Sequence, residues 1–342
     1  MPAVSIVMAC YNGMPYLPDA IDSIRKQTFS DWELIVVNDG STDGSSHCLN
    51  EYAAEDSRIR VLDQPNQGQH VAADIGIREA VSPLIARMDA DDVCHPHRLE
   101  KQLRFLSHHP EVGLVGSQIR RLGSHRAGLR SLLPTDHATI WSMLRKNHHA
   151  LCNPTVVFRK SLYERVGGYW CHDIAEDWDL FLRLGEISQL ANLDEVLLHY
   201  RFHGSSINGR RIIQAQLYNE YAAHLSRLRE SSQPEISIED FKREHAISRW
   251  PHGWLFRADA LSIGQYRQAV AELYGGQRLR GTARLLMSMM MSPQRTLRRC
   301  ARMLHRSPAV PTESNNSAST PAPKPSIAAA LSPIESRDRV RA

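Results

Sequence analysis

Four short apolar segments restrict what this chain can fold into, because each is followed by a polar loop and then, in most cases, by a stretch of helical composition. They are residues 4–9, 34–38, 59–62 and 84–88. Strands that alternate with helices in this way build βαβ units, whose parallel strands lie side by side with helices over the sheet. The sequence therefore predicts an α/β fold with a mainly parallel sheet flanked by helices.

The loops that follow these segments are rich in polar residues. Their positions are 11–13, 39–43, 64–68 and 89–92. In an open parallel sheet such loops meet at the carboxyl ends of the strands, where ligands bind. No G-x-G-x-x-G motif opens the first helix, which disfavours a dinucleotide-binding domain.

The last of these loops, Asp89-Ala90-Asp91-Asp92, is acidic. Acidic side chains at positions i and i+2 leave opposite faces of a strand, but in a turn beyond it both can reach one divalent cation and its phosphate ligands. The spacing alone is not specific, because Asp177-Trp178-Asp179 repeats it. A cation-bound diphosphate and a solvated acidic turn are both compatible with this loop. Asp92 is expected to cap the helix near Pro96.

Charge and cysteine content disfavour several classes of protein. The formal net charge is only +4 over 342 residues, with arginine concentrated toward the C-terminus, so a general nucleic-acid binder is disfavoured. Six scattered cysteines form no C-x-x-C pair, which favours a reducing compartment. No apolar run approaches the ~18 residues of a membrane span, and the N-terminus has no basic leader region. We expect a cytoplasmic protein that is soluble or peripheral to a membrane.

Further elements are predicted downstream of the acidic loop. In chain order they are a helix beginning near Pro96, a strand at 112–119, a β-rich run at 155–158, a helix from Glu176 and a last strand at 196–200. The helix near Pro96 carries its leucines at helical spacing, and the helix from Glu176 has acids in its first turn.

Six segments carry a resemblance to a known family. They are residues 4–13, 33–43, 86–92, 153–155, 176–177 and 200–206. In order and spacing they resemble the family 2 glycosyltransferases with the GT-A (Rossmann-like) fold, over about residues 4–208. The resemblance implies an inverting enzyme that moves a sugar from a nucleotide donor, UDP- or dTDP-linked, to a saccharide or lipid-linked acceptor in cell-surface glycan synthesis.

The resemblance also implies a domain organisation. We expect a GT-A nucleotide-sugar-binding and catalytic domain at 1–206, a helical extension at 207–306 and a disordered tail at 307–342. Within the extension, residues 277–306 interleave arginine with leucine and methionine, and Pro293 is expected to split them into two helices. This segment fits peripheral contact with the cytoplasmic face of the inner membrane, or a helical pair packed on the catalytic domain.

On the donor side, the resemblance assigns Asp39 to a hydrogen bond with the nucleobase and Tyr11 to stacking on it, with Ala9 contributing its backbone. Turn capping by Asp39 and a plain strand-end aromatic are the alternatives. Asp89 resembles the acid that contacts the ribose or sugar, and Asp91 the acid that holds Mn²⁺ or Mg²⁺, with Asp89 as a second metal ligand. The ion would neutralise charge on the departing nucleoside diphosphate.

Transfer also needs a base, because an alcohol is a poor nucleophile until its proton is taken. Asp177 resembles the aspartate of the family's Glu-Asp pair, and Glu176 tunes it or helps to hold the acceptor. Capping of the helix N-terminus by two acids is the alternative. Asp179 is expected at the surface. His203, on the loop after the last strand, is assigned to the donor diphosphate, against a plain exposed histidine.

The chain departs from the family pattern at one place, and two rival functions are to be considered. Family members commonly carry Ala-Arg-Asn where this chain reads Ala72-Ala73-Asp74, so either Arg87 or Arg78 compensates or the donor differs. A sugar nucleotidyltransferase is disfavoured, because the loop at 11–15 contains no lysine or arginine for a phosphate. A non-catalytic nucleotide-sugar-binding protein stays possible because of the departure.

Overall fold

The computed structural model describes residues 1–122, 127–170, 175–201, 212–245, 247, 251–274 and 276–293. His203, the predicted tail at 307–342 and the part of 277–306 beyond 293 lie outside these residues. Nine described strands form one sheet. The strands are β1 (Val4–Cys10), β2 (Trp32–Asp39), β3 (Ile59–Gln64), β4 (Leu84–Asp89), β5 (Val93–Cys94), β6 (Val112–Leu122), β7 (Ala127–Arg130), β8 (Val157–Arg159) and β9 (Gln189–Arg201).

Helices flank this sheet and continue after it. They are α1 (Leu17–Arg25), α2 (Ser45–Glu55), α3 (Gln69–Glu79), α4 (Arg98–His108), α5 (His137–Arg145), α6 (Lys160–Arg165), α7 (Glu176–Ile187), α8 (Ile212–Glu230), α9 (Ile238–Glu244), α10 (His252–Tyr274) and α11 (Arg278–Met291). A single 3₁₀ turn, Asn153–Thr155, precedes β8 in the described chain. Strand and helix alternate through the first half of the chain, as the sequence predicts.

The strand order is β3-β2-β1-β4-β8-β6-β9-β5, and β7 pairs with β6. The four strands predicted first, β1 to β4, are parallel to one another. Beyond β4 the sheet is mixed, since β8 runs antiparallel to β4 and β6, whereas β6 and β9 are parallel. β9 is longer than the strand predicted at 196–200. The first half of β9 was not predicted, because two acidic residues between Leu193 and Val196 interrupt its apolar alternation. The register with β6 shifts at the same place.

Residues of the central strands alternate between two hydrophobic cores, one on each face of the sheet. Ile6 and Met8 of β1 pack in a core with residues of α1, α2 and α4. Val7, between them, packs in a second core with residues of α3, α5 and α7. Side chains of a strand alternate in direction, so a strand buried on both faces reads as a continuous apolar run. This explains why β1 and β2 were recognisable from sequence.

α3 approaches the sheet closely at one glycine. A Cβ atom built on Gly76 would lie 2.6 Å from Cγ1 of Val7 in β1, closer than such atoms normally come. Glycine is therefore required for α3 to rest directly on β1. The helix begins immediately after the loop at 64–68, so its position also determines where that loop meets the strand ends.

The helices after the sheet pack on one another and on the sheet domain. α8 packs against α7, and Ala222 and Ala223 enter the second core. α10 packs on α8 and pairs antiparallel with α11, where Ser262 and Ser288 exchange hydrogen bonds. None of the described helices combines the length and apolarity that crossing a membrane requires. The helical extension agrees with the predicted one, while the domain boundaries stay a prediction.

Candidate active site

The carboxyl ends of β1, β2 and β4 meet at one edge of the sheet. The register pairs Cys10 of β1 with Asn38 of β2, and Ala9 of β1 with Asp89 of β4. The loops that follow these strands are therefore neighbours, as predicted. Ala9, assigned a backbone contact with the donor, lies in this row of strand ends.

The loops after β1 and β2 are joined by hydrogen bonds. Asn12 donates its backbone N–H to Oγ of Ser41 at 3.0 Å, and its Oδ1 accepts from the backbone N–H of Thr42 at 2.7 Å. The backbone N–H of Met14 donates to Oδ2 of Asp43 at 2.9 Å. Tyr11 stands at the rim of this pair of loops with 54 % of its surface exposed. The phenol ring is accessible to a planar ligand.

Asp39 is buried at the end of β2 and holds the loop that follows β3. Its Oδ1 accepts from Nε2 of Gln64 at 2.6 Å and from the backbone N–H of Gln67 at 2.8 Å. Its Oδ2 accepts from the backbone N–H of Gly68 at 2.9 Å. The carboxylate thus binds a neighbouring loop rather than capping its own turn. A nucleobase contact by Asp39 stays a prediction.

The acidic loop places three carboxylates together. Ligand oxygens of Asp89, Asp91 and Asp92 all lie within 4.8 Å of one another. Asp92 is fully buried, and its Oδ1 accepts from the backbone N–H of Arg201 at 2.7 Å. Its Oδ2 is buried and has no hydrogen-bond partner among the described residues. The expectation that Asp92 caps the helix near Pro96 is wrong: β9 reaches this loop from a distant part of the sequence and binds the carboxylate.

Burial and repulsion between neighbouring charges raise the pKa values of Asp89 and Asp92. The pKa of Asp89 is raised to about 6, first by burial and then by the charge of Asp91. The pKa of Asp92 is raised by burial and by the charges of Asp89 and Asp91. Such a cluster is stabilised by a divalent cation, which oxygen ligands suit. The unsatisfied oxygen of Asp92 makes the residues present a fit for Mg²⁺ or Mn²⁺.

Arg201, at the end of β9, ties the acidic loop to α1. Its Nε donates to the backbone carbonyl of Asp91 at 2.8 Å, and its Nη2 donates to Oδ2 of Asp19 at 3.0 Å. The guanidinium lies over the ring of Tyr16, 4.4 Å from its centroid. No role was predicted for Arg201 from sequence. Its position directly before the His203 loop was the only signal.

Glu176 and Asp177 begin α7, and both interact electrostatically with Asp89 of the acidic loop. Ala175 precedes them with a φ of 67° and provides no side-chain cap. Oδ1 of Asp177 accepts from the adjacent Trp178 N–H at 2.8 Å. The pKa of Glu176 is raised to about 8 by burial and by the charge of Asp177. Burial also raises the pKa of Asp177. The hydrogen bond from the Trp178 N–H and the charges of Arg87 and Arg267 act in the opposite direction and lower it.

The metal candidates and the base candidates lie close enough to interact electrostatically. The charge of Asp177 acts on Asp89, and the charges of Asp92, Asp89 and Asp177 all act on the Cys152 thiol, whose pKa is raised mainly by burial. The fold thus brings together acids separated by more than eighty residues of sequence.

Asp179 is not at the surface, so this expectation is wrong. The side chain is buried, and its Oδ2 accepts from Nε of Arg183 at 2.8 Å. The Arg183 guanidinium in turn lies 5.1 Å from the Trp170 ring centroid. α8 covers this side of α7. The sequence of α7 alone did not show that α8 would cover Asp179.

The departure at Ala72-Ala73-Asp74 has a structural counterpart. Ala72 and Ala73 are buried in the second core, and Oδ1 of Asp74 accepts from the Tyr163 hydroxyl at 2.6 Å. Arg78 pairs with Asp74 at 2.8 Å, so this arginine is engaged at α3. Arg87 instead is fully buried, donates to the carbonyl of Val7 at 2.8 Å, and acts electrostatically on Asp89, Glu176 and Asp177. Arg87 is a buried cation beside these acids.

Known proteins resemble the chain in sequence and fold. The family model described as "Glycosyl transferase family 2" matches residues 5–167. The O-antigen biosynthesis glycosyltransferase WbnJ of Escherichia coli is 34% identical over 208 residues, which cover 59% of this chain and 81% of WbnJ. The amylovoran biosynthesis glycosyltransferase AmsE of Erwinia amylovora is 30% identical over 213 residues, covering 60% and 79% of the two chains.

A solved structure shares the fold. Residues 1–349 of S. aureus TarS, in complex with UDP-GlcNAc, superpose with a TM-score of 0.58 at 15% sequence identity, covering 88% of this chain and 91% of that chain. At this level of identity the likeness shows the fold alone. The predicted α/β architecture of the GT-A type is confirmed.

Proposed function

The chain belongs to glycosyl transferase family 2, and from this premise we propose that it transfers a sugar, with inversion, from a nucleoside-diphosphate donor to a hydroxyl group of a saccharide or lipid-linked acceptor. The observation that carries the proposal is the electrostatic proximity of two acidic sets: the cluster of Asp89, Asp91 and Asp92, and the Glu176-Asp177 pair. The two sets correspond to the two ends of a displacement reaction.

Asp89, Asp91 and Asp92 would hold Mg²⁺ or Mn²⁺ with the donor diphosphate. When bound, the ion neutralises the negative charge that develops on the leaving nucleoside diphosphate. Asp92 is a ligand candidate that was not predicted from sequence, and it becomes one because its Oδ2 lacks a hydrogen bond in the described chain. Arg201 fixes the backbone of this loop through the Asp91 carbonyl.

Asp177 is proposed as the general base. It would accept the proton of the acceptor hydroxyl while that oxygen attacks the anomeric carbon from the side opposite the diphosphate, which inverts the configuration. Glu176 carries a proton at neutral pH because its pKa lies near 8, so it can donate a hydrogen bond to the acceptor. The buried Arg87 stabilises the ionised form of Asp177.

Donor recognition is proposed for the strand ends beside the acidic loop. Tyr11 offers an exposed ring for stacking on a nucleobase, while Ala9 and Asp39 lie in adjacent strands. TarS was solved in complex with UDP-GlcNAc, which supports a UDP- or dTDP-sugar as the donor here. His203 is proposed to contact the diphosphate, from a position that lies outside the described residues.

The setting is proposed to be surface polysaccharide synthesis in the cytoplasm, at the inner membrane. The names of WbnJ and AmsE support a role in surface polysaccharide synthesis. Location at the inner membrane rests on an apolar stripe on the solvent side of α11, composed of Leu279, Ala283, Leu286 and Met290. Arg278 and Arg280 are exposed at its beginning, which suits anionic headgroups.

Hydrolysis and transfer with a panel of nucleotide sugars, with Mn²⁺ and with chelator, test the proposal. We expect one donor to be consumed in a metal-dependent manner, releasing nucleoside diphosphate. Release of pyrophosphate from a nucleoside triphosphate and a sugar phosphate would instead identify a nucleotidyltransferase. Tight donor binding without turnover on any acceptor would identify a non-catalytic binder.

A further inference from the structure

A small pocket lies between the beginning of α7 and α8. It contains about 280 Å³ of empty space, which includes its opening to solvent. Pockets that enclose a whole small molecule begin at about 300 Å³. This pocket therefore suits one substituent of a larger ligand whose remainder lies outside it.

One wall of the pocket is aromatic and apolar. Trp170, Tyr218 and Tyr221 line it, together with Leu225 of α8. Tyr221 and Leu225 belong to a small hydrophobic cluster, and Trp170 and Tyr218 pack against that cluster. The Tyr221 hydroxyl donates to the backbone carbonyl of Ile236 at 2.7 Å, which fixes the ring. Burial of a methyl group against such a wall is favourable.

A buried carboxylate also lines the pocket. Asp179 is only 5 % exposed, and its Oδ2 lies 2.8 Å from Nε and 2.6 Å from Nη2 of Arg183. The two opposite charges balance each other. Oδ1 of Asp179 is buried and has no hydrogen-bond partner among the described residues. A buried acceptor without a partner is costly, so the pocket suits a neutral group that brings a hydrogen-bond donor.

Glu176 adds a hydrogen-bond donor beside the proposed base. It lines the same pocket and directly precedes Asp177 in the chain. Because its pKa is raised to about 8, first by burial, Glu176 carries a proton at neutral pH and can donate it to a carbonyl oxygen. The pocket thus combines an apolar wall, a hydrogen-bond acceptor and a hydrogen-bond donor.

We propose that this pocket binds the acetamido group of an N-acetylamino sugar, and that this sugar carries the hydroxyl group to which transfer occurs. The inference rests on the proposed function, since it names the sugar class of the acceptor. The amide N–H donates to Oδ1 of Asp179, the amide carbonyl accepts from Glu176, and the methyl group packs on Trp170 and Tyr221. A hydroxyl group at the same position of the sugar leaves the apolar wall uncovered.

Binding of paired sugars tests the pocket without requiring turnover. The full chain is saturated with UDP and Mn²⁺ and titrated, by ligand-observed NMR, with the methyl glycosides of N-acetylglucosamine and N-acetylgalactosamine. Each is compared with the glycoside that has a hydroxyl in place of the acetamido group. We expect the N-acetylated member of one pair to bind about tenfold more tightly, the equivalent of roughly 1.4 kcal/mol. Equal binding within both pairs, or no binding of any probe, overturns the proposal.

Two variants assign the preference to the pocket. Ala222→Met should remove it, because Ala222 lines the pocket and the longer side chain fills the space. Ala215→Met, at a half-buried position of α8 outside the pocket lining, is the matched control. In Asp179→Asn the amide oxygen faces Arg183 and the NH₂ group faces the ligand, so a donor replaces the acceptor. A preference that persists in either folded variant overturns the proposal.

Failure of this inference differs from failure of the proposed function. Hydrolysis of the nucleotide sugar is followed on the same samples, and it persists if only the acceptor class is wrong. A loss of UDP affinity in Ala222→Met would place the pocket on the donor side, which also overturns the inference. A preference for the acetamido group without turnover of any donor would support the pocket and contradict the proposed function.

Discussion

At the scale of single residues, neighbouring acids acquire different chemistry from their surroundings. Glu176 and Asp177 are adjacent in sequence, yet Asp177 is kept ionised by the Trp178 N–H and by two arginines, Arg87 and Arg267, whereas Arg87 is the arginine that acts on Glu176. Glu176 has a pKa near 8, so the pair shares a proton at neutral pH. Asp177 is therefore suited to act as the base and Glu176 as the hydrogen-bond donor, within one turn of α7.

Replacing Asp177 with asparagine should abolish transfer while leaving the donor site intact. The amide has the size of the carboxylate but cannot accept a proton, so we expect the transfer rate to fall by about 10²-fold or more. Initial rates at saturating donor measure this, with UDP affinity determined by calorimetry. Asp31→Asn, at an exposed position before β2, is the control. Near wild-type transfer by Asp177→Asn would remove it from the reaction.

Asp91→Asn should affect the binding of the leaving diphosphate rather than the removal of the acceptor proton. An amide oxygen carries no formal charge to balance the cation, so we expect metal-dependent binding of a nucleoside diphosphate to weaken about tenfold or more, the equivalent of roughly 1.4 kcal/mol. Titration with and without Mn²⁺ measures it, again with Asp31→Asn as control. An unchanged Mn²⁺ dependence would exclude Asp91 as a ligand.

Glu176→Gln gives a prediction about pH and stability. Glutamate titrates near ~4.3 in an unfolded chain, whereas Glu176 titrates at about 8 in the folded protein. The folded state therefore binds this proton more tightly, so the stability of the wild type is highest below the unfolded pKa and is lost as the pH rises from ~4.3 through about 8. Glutamine does not titrate, so the variant should be more stable, relative to wild type, at pH 9 than at pH 6. Melting temperatures that differ equally at both pH values would contradict the raised pKa of Glu176.

At the scale of elements, a strand or helix could be predicted where its pattern of burial can be read from its own stretch of sequence. β1 and β2 are buried on both faces, so their apolar runs were sufficient to identify them. β9 was only half recognised, because its bulge follows from pairing with β6. The roles of Asp92 and Asp179 were missed for a related reason. Their partners, Arg201 and the α8 surface, are brought to them by tertiary structure rather than by local sequence.

Close packing of α3 on β1 makes Gly76→Ala informative. Within an exposed helix the change would stabilise the protein by up to about 1 kcal/mol. Here the added methyl group meets Val7 at 2.6 Å, so we expect a net destabilisation of about 1–3 kcal/mol from overpacking. Urea unfolding measures the free energy. A more stable variant would mean that α3 moves away from the sheet without cost.

At the scale of the whole molecule, the sheet domain and the C-terminal helices present different surfaces. α11 buries Gly281 and Ser288 against α10 but leaves Leu279 90 % and Met290 76 % exposed. Large apolar side chains in a row on a solvent face mark an interaction surface. With the exposed Arg278 and Arg280 at one end, the surface suits an anionic membrane interface.

Flotation with liposomes tests this surface. We expect the full chain to float with anionic vesicles at low salt and less with neutral ones, since each arginine near anionic lipid contributes about 1 kcal/mol. Leu286→Glu with Met290→Glu should abolish flotation without unfolding α10. A chain shortened after Gly276 should also stay in solution, although it exposes the face of α10 that α11 covers. Equal solubility of all forms would contradict the membrane proposal.

Arg201 has a consequence for synthesis on the ribosome. The backbone of the acidic loop is fixed by a residue 110 positions later in the chain, and Asp92 is held through the same residue. The proposed cation site therefore cannot assume its final geometry until β9 has left the exit tunnel and joined the sheet. A nascent chain ending within the first 170 residues would already contain Asp89, Asp91 and Asp92, yet it would lack Arg201 and Asp177. Such a truncated product would lack the residue that fixes the backbone of the acidic loop.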